Sequence, residues 1–366
     1  MNPPRKIRKS TNDGVPLTDF LMSLPFELIV LLASYLTMKD QRTFSHCNKS
    51  LRTGMKSADL IRYKLSNLSC RKYVDDLFFR EVVDSRGRVW DFKLYDHPTM
   101  DVTFLSRVHT LELYGISGVT DVSALSKVHT LSLMDMDGVT DVSALSQVHN
   151  LTLWIMRGVT DVSALSQVRT LYLFDMPGVT DVSALSKVHT LTLGNMPGVT
   201  DVSALSQVQN LTLIDMPGVT DVSAVHTLTL KKMPGVTDVS ALSKVHTLSL
   251  MDMDGVTDVS ALSQVHNLTL CRMDGVTDVS ALSQVHTLYL LNMYGVTDVS
   301  ALSKVHTLTL EKMPGVTDVS ALSQVHTLKL WGMDGVTDVS ALSYIYIRSC
   351  QEYNMVNKFL RRNKST

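Results

Sequence analysis

From Val108 to Tyr344 the chain repeats one pattern of apolar and polar positions on a twenty-residue cycle. The copies open at Val108, Val128, Val148, Val168, Val188, Val208, Val225, Val245, Val265, Val285, Val305 and Val325. The second reads VHTLSLMDMDGVTDVSALSQ, and numbering columns from its Val128 aligns the rest. Columns 4 and 6 are Leu, column 9 is Met except at Ile116, and columns 12, 15 and 18 are Val, Val and Leu. The stretch T-L-x-L-x alternates with period two, which predicts a strand with one buried face. Gly at column 11 is a turn signal. Thr and Asp at columns 13 and 14 suit the N-cap of a short turn at S-A-L. The six or so residues left there favour a 3₁₀ turn over a longer helix. One such unit cannot bury its apolar side alone, whereas stacked units bury a continuous column of Val, Leu and Met. The expected object is a solenoid with a parallel sheet on one face, about 60 Å long for some thirteen coils.

The spacing V-x-x-L-x-L-x-x-M-x-G-V-x-D-V-x-x-L resembles the leucine-rich repeat, and its TDVSALS half is similar to the internalin-type subclass. The resemblance implies an α/β solenoid with a concave parallel sheet and a convex side of 3₁₀ or irregular structure. The family places Asn at column 9, where this chain has Met. Asp at column 14 and Ser at column 16 are therefore expected to help satisfy the loop backbone that the Asn amide would serve. The ends of the array are irregular. VWDFKLYDHPTMDVTFLSR, at 89–107, is a degraded copy one residue short, in which Trp90 and Phe92 widen the apolar edge into a cap. The sixth copy, Val208–Ala224, lacks its last three letters and needs a tighter turn. Tyr344-Ile345-Tyr346-Ile347 reads as a last strand and 354–362 as a capping helix.

Residues 17–55 follow a helical rhythm instead. Ser23 before Leu24-Pro25, with Glu27 early, is a helix start. Leu28, Leu31, Leu32, Tyr35 and Leu36 recur at helical spacing, and Asp40 restarts a helix carrying Phe44 and Cys47. The segment resembles the F-box. Leu24, Pro25 and Glu27 stand in its LPxE, and Leu36, Asp40, Cys47, Lys49 and Arg52 match much of the remainder, with Leu51 where the family often has Trp. The resemblance implies docking to a Skp-type adaptor of a cullin-RING (SCF-type) ubiquitin ligase through Leu24, Pro25, Glu27, Leu28, Leu31, Leu32 and Leu36. A small helical cap on the solenoid is the other reading of these residues. The resulting organisation is a disordered basic N-terminus at 1–16, an F-box-like domain at 17–55, a helical linker at 56–88, the solenoid at 89–344, and a C-terminal cap and tail at 345–366. The near-identical DVSALSxVHTL copies also resemble F-box repeat proteins of amoeba-infecting giant viruses, which implies a host cytoplasm, with the nucleus as an alternative.

The array contains its own comparison. Copies two to five and eight to eleven are duplicates, and over their 80 aligned positions nine residues differ. Eight differences fall in columns 7, 8 and 10: Trp154/Cys271, Ile155/Arg272, Arg157/Asp274, Phe174/Leu291, Asp175/Asn292, Pro177/Tyr294, Gly194/Glu311 and Asn195/Lys312. The ninth is Arg169/His286 in column 2. Columns 7, 8 and 10 are expected at the strand end and the following loop, beside columns 3 and 5 of the concave face. A variable binding surface and neutral drift of exposed positions both remain open. On the first reading the anchors are Trp154, Arg157, Tyr172 and Phe174 in one patch, Tyr289, Leu291 and Tyr294 in a second, and Lys329 with Trp331 in a third, since aromatic and Arg residues dominate interface hot spots.

Charge sharpens this picture. The formal net charge of −1 conceals an acidic array, with 11 Lys+Arg against 22 Asp+Glu at 108–344. That balance argues against a nucleic-acid groove. No run of 18 apolar residues predicts a membrane span, and no signal core follows the basic MNPPRKIRKS. Cys47, Cys70, Cys271 and Cys350 are scattered without disulfide or CxxC spacing, which fits a reducing compartment. Ten of twelve His occupy column 2. A parallel ladder about 5 Å apart lacks the convergent ligands zinc needs, so neither metal nor cofactor is expected. Ser and Asp recur in every copy and His in ten of the twelve, and they single out no catalytic triad. The sequence thus reads as a monomeric, non-enzymatic receptor for an unknown protein target, with a plain leucine-rich-repeat interaction module as the alternative.

Overall fold

The computed structural model describes residues 62–64, 88–96, 101–222 and 225–342. The segment at 17–55 with the residues expected to dock an adaptor, the N-terminal stretch at 1–16, and the strand and helix expected after Ser343 lie outside the described residues. The chain divides into two compact units, Met1–Lys93 with Arg107–His109, and Leu94–Ser106 with Thr110–Thr366.

In the first unit, strand β1 (Arg62–Lys64) pairs in parallel with the start of β2 (Arg88–Tyr95), at Arg88, Val89 and Asp91, and the register slips between Tyr63 and Lys64. The amphipathic pattern of 56–88 predicts helix there. At 62–64 the backbone is extended instead, because a neighbouring strand offers ladder hydrogen bonds that local periodicity does not register. Phe92 of the degraded copy is fully buried.

The second unit holds one strand per copy, from β3 (Thr110–Tyr114) to β14 (Thr327–Trp331), all parallel and in chain order. Each strand fills columns 3–7, and each column pairs with itself: Thr130, Asn150 and Thr170 are register partners, as are Met134, Trp154 and Phe174. A 3₁₀ turn beginning at column 16, such as Ser143–Gln147, closes the coil on the opposite side. This is a leucine-rich-repeat solenoid. Columns 1, 4, 6, 9, 12, 15 and 18 form the core, and in coil 3 Val148, Leu151, Leu153, Met156, Val159, Val162 and Leu165 are all 1% exposed or less. The truncated sixth coil keeps its place. Asn210 and Thr227 are register partners, Thr227 N–H donates to Gln209 O at 3.0 Å, and Val222 and Val225 both turn inward.

The loop backbone is satisfied differently from the expectation. Asp at column 14 does not serve the Met loop. Its Oδ1 accepts from the backbone N–H of Ser at column 16, at 2.8 Å in Asp141–Ser143 and Asp181–Ser183 alike, so it starts the 3₁₀ turn. The Met loop closes on itself, with Val139 N–H donating to Met136 O at 3.1 Å, and on its neighbour, with Asp135 N–H donating to Trp154 O at 2.8 Å. Met therefore need only pack, and Met136, Met156 and Met176 have no exposed surface.

Gly at column 11 marks a close approach rather than a left-handed turn. A Cβ on Gly198 would lie 2.9 Å from both the Val179 carbonyl and the Thr180 methyl of the preceding coil. The left-handed position is column 8, occupied by Asp135 (φ 53°), Ile155 (φ 55°), Asn195 (φ 47°) and their equivalents. Gly198→Ala should accordingly lower stability by about 1–3 kcal/mol, the usual cost of overpacking, read as an earlier urea or thermal midpoint. An unchanged midpoint would show that the coils separate freely at this contact.

Candidate functional site

Four surfaces run the length of the array. Columns 3 and 5 point out from the sheet, columns 7, 8 and 10 form its C-terminal edge, columns 13 to 20 form the turn side, and column 2 borders the strand start. All eight edge differences between the duplicated blocks therefore fall on one continuous strip. Exposure alone does not explain this. Column 20 is exposed in coils 2 to 5 and 8 to 11, yet Gln147, Gln167, Lys187 and Gln207 are matched in the second block by Gln264, Gln284, Lys304 and Gln324. Columns 13, 14 and 16 are exposed as well but have structural duties: the Thr methyl under Gly, the Asp carboxylate on the turn, and the Ser that it holds.

In the first block Trp154 and Phe174 are register partners at the strand ends. Trp154 is 41% exposed and Tyr172, one coil on, is 40% exposed. The indole Nε1 of Trp154 donates to Asp175 Oδ2 at 2.5 Å, and Asn195 also donates to Asp175. The Phe174 ring lies over Gly194, where a Cβ would come within 2.2 Å of it, so the glycine is the floor on which the ring rests. Arg157 extends along the edge and donates to Asp137 at 3.0 Å and Asp135 at 3.3 Å.

The second block rebuilds the same strip with other chemistry. Cys271 replaces Trp154 and is buried, which pushes its thiol pKa up. Leu291 replaces Phe174, and Glu311 stands where the glycine floor was. Glu311 accepts a hydrogen bond from Tyr289, whose hydroxyl is pushed up to about 12 by burial and by that carboxylate. Tyr289 and Leu291 are half-buried, while Tyr294 is 55% exposed and dominates the patch. Arg272 pairs with Asp252 of the coil before. At the far end Lys329 and Trp331 are exposed, one on the sheet face and one on the edge of the same strand. The structure thus brings the expected residues into three groups, two of them on matching coils of the duplicated blocks.

Sequence reading placed column 8 on the variable edge but missed its left-handed backbone. Its signal was the run of Asp, Asn and Gly there (Gly115, Asp135, Asp175, Asn195, Asp215, Asp252, Asn292, Gly332), the residues that tolerate left-handed backbone. Against that background Ile155, at φ 55°, is a β-branched outlier on the variable edge, and Arg272 holds the matching place in the second block.

The His ladder is present as expected, with ring centroids 4.5–5.0 Å apart for the six rings from His226 to His326. Nδ1 of His286 and of His306 lies 3.3 Å from the hydroxyl of the next residue, Thr287 and Thr307. Among the described residues no group of three or more His, Cys, Asp or Glu is placed to hold a metal, and no helix is long and apolar enough to cross a membrane. The repeated Asp and Ser belong to turns and the His to the ladder, on different sides of the coil.

A scan against protein-family models and a search of curated proteins find no match. Solved structures with similarity include an internalin (inlF) from Listeria monocytogenes, 18% identical over 78% of this chain and 94% of that one, with a TM-score of 0.42. The functional domain of InlJ from the same organism is 17% identical over 75% of each chain, with a TM-score of 0.43. A leucine-rich-repeat protein of Leptospira interrogans is 12% identical over 82% of this chain and 98% of that one, with a TM-score of 0.31.

Two outcomes are expected. Ile155→Asn should raise stability by about 1 kcal/mol by relieving the left-handed β-branched residue; a lower thermal midpoint would contradict this. Acid should weaken the array in two windows. Partial burial, then the neighbouring rings, hold His266 and His306 below the ordinary His value. The unfolded chain therefore takes up their protons first, and stability falls as pH drops below about 6.5. The column 14 carboxylates, such as Asp181, are held below the ordinary value by the Ser backbone N–H. Their contribution persists above pH 4 and is lost as pH falls further. The thermal midpoint should be lower at pH 5.5 than at pH 7.5. His266→Gln with His306→Gln should narrow the gap, since Gln209 already occupies this column. Equal midpoints at the two pH values would refute the first window.

Proposed function

We propose that the array is a protein–protein interaction module whose recognition surface is the edge formed by columns 7, 8 and 10 together with the outward-facing column 5 beside it. The observation that carries this reading is the confinement of eight of nine block-to-block differences to that edge, while column 20, exposed in every coil compared, stayed fixed. The left-handed Ile155 supports it further, because a residue chosen for stability at that position would be Asn, Asp or Gly. The anchors are Trp154, Arg157, Tyr172 and Phe174, then Tyr289, Leu291 and Tyr294, then Lys329 and Trp331, the residue types that dominate interface energetics. Photo-crosslinking residues placed at 174 or 291 should yield protein adducts that the same group at Gln167, in column 20, does not. Equal yields from both columns would dispose of the edge as a recognition site.

A narrower role rests on Leu24-Pro25-Phe26-Glu27 and the helical spacing through Leu36. In that role the segment docks a Skp-type adaptor, and the array presents its target to a cullin-RING ubiquitin ligase in the cytoplasm. The full chain should then co-purify with a Skp-type adaptor and lose it in the Leu24→Ala, Pro25→Ala double variant. Failure of the wild-type chain to bind the adaptor would remove the ligase role and leave the interaction module standing.

A further inference from the structure

The two halves of the edge differ in charge as well as shape. Column 7 of coils 1 to 6 holds Tyr114, Met134, Trp154, Phe174, Gly194 and Ile214, an uncharged row in continuous register. Columns 8 and 10 of the same coils add four carboxylates, Asp135, Asp137, Asp175 and Asp215, against one cation, Arg157. That guanidinium is already shared between Asp135 and Asp137. Among the described residues Asp175 is held by the neutral donors of Trp154 and Asn195, so its charge is oriented along the strip and not cancelled there. The row then ends in register at Lys231, with Lys232 beside it. The same three columns of coils 7 to 12 carry four cations, Lys231, Lys232, Arg272 and Lys312, interspersed with five carboxylates, two of the charges falling in column 7 itself.

We infer that the edge of coils 1 to 6 docks a basic, apolar-anchored segment of a partner protein: an extended stretch whose apolar side chains cover the Met134–Trp154–Phe174 row and whose Lys or Arg side chains meet the flanking carboxylates. This rests on the interaction-module reading and specifies its partner. Charge complementarity selects the sign. An acidic segment would set like charges against Asp175 and Asp215 at close range, whereas a basic one completes the carboxylates that Arg157 leaves unmatched. Lys231 and Lys232 bound the strip by repelling the same segment. Five coil-to-coil steps of about 4.8 Å give a strip of about 24 Å, the reach of about seven extended residues. Trp154 and Phe174 supply the buried apolar centre that a tight site needs, and the glycine floor at Gly194 holds the Phe174 ring in place.

The test uses the full chain and three labelled twelve-residue synthetic peptides, followed by fluorescence polarisation: one alternating Leu with Lys, one Leu with Glu, one Ser with Lys. The Leu–Lys peptide should bind, and the other two at least about tenfold more weakly, since each lacks one half of the complementarity. Trp154→Ala with Phe174→Ala should weaken the Leu–Lys peptide about thirtyfold, the scale of hot-spot truncation, while Gln167→Ala with Gln284→Ala, in the exposed column 20, leaves it unchanged. If the first pair of changes prevents folding, Asp175→Asn with Asp215→Asn carries the test through charge, and weaker binding with a flatter salt dependence supports the assignment. Equal binding of the Leu–Glu peptide, or undiminished Leu–Lys binding by a folded Trp154→Ala, Phe174→Ala chain, overturns it. Crosslinks from 174 that persist alongside such a result would keep the interaction module and reject the basic partner; loss of both would reject the two together.

Discussion

Each coil lies so close to the one before it that column 11 has room only for a hydrogen atom. Gly158, Gly178 and Gly198 each rest on the carbonyl of the preceding Val and the methyl of the preceding Thr, at about the same distance every time. That spacing is set by the parallel ladder, which fixes neighbouring strands about 4.8 Å apart, and the whole coil must follow it. Thr at column 13 is held because its methyl fills the gap under glycine. Asp at column 14 is held because the coil must turn back within three residues, and its carboxylate starts that turn. Leu, Met and Val at seven columns are held because each buries its neighbour's side as well as its own. Truncating any one of the buried leucines would leave a cavity between two coils, typically costing about 2–5 kcal/mol.

A scaffold this constrained leaves few positions at liberty. The C-terminal edge of the sheet is the place where a side chain leaves the strand without meeting the next coil's core, and there the two duplicated blocks part company. The exchanges are correlated. Where Phe174 needs a floor, the next coil has Gly194; where that glycine has become Glu311, the ring is gone and Tyr289 takes the carboxylate as its partner. One backbone thus carries two differently shaped and differently charged surfaces, an uncharged row bordered by carboxylates and a half-buried row crossed by cations. The energetic separation between the conserved interior and this edge is what lets such a surface change without loss of the fold.

The His ladder belongs to the scaffold and not to the edge. Its rings lie close, some face to face and some edge to face, because identical residues in register repeat at the coil spacing, and partial burial followed by the neighbouring imidazoles lowers the proton affinity of His266 and His306. Arg169 in coil 4 and Gln209 in coil 6 interrupt the ladder without disturbing the register of the strands beside them. The ladder is therefore tolerated by the coil and is not required by it.

Much was legible in the letters. A twenty-residue period with Leu at columns 4 and 6 determines a one-sided strand, and a unit that short cannot bury itself, so stacking follows from the repeat alone. The paired copies likewise show, without coordinates, which columns vary. The tertiary structure decided what depends on the neighbouring coil. It made glycine at column 11 a matter of contact and not of φ, moved the left-handed residue to column 8, and relieved Met at column 9 of any hydrogen-bonding duty by closing that loop on itself. It drew Arg62–Lys64 into a strand where the local pattern reads as helix. It also buried Cys271, half-buried Tyr289 and Leu291, and left Trp154, Tyr172 and Tyr294 in solvent, although a single sequence gives aromatic and apolar letters at all of these places. Periodicity is carried within one coil and can be read along the chain. Exposure at the edge is set by the side chain one coil away, twenty residues distant, and only the register of the sheet brings the two together.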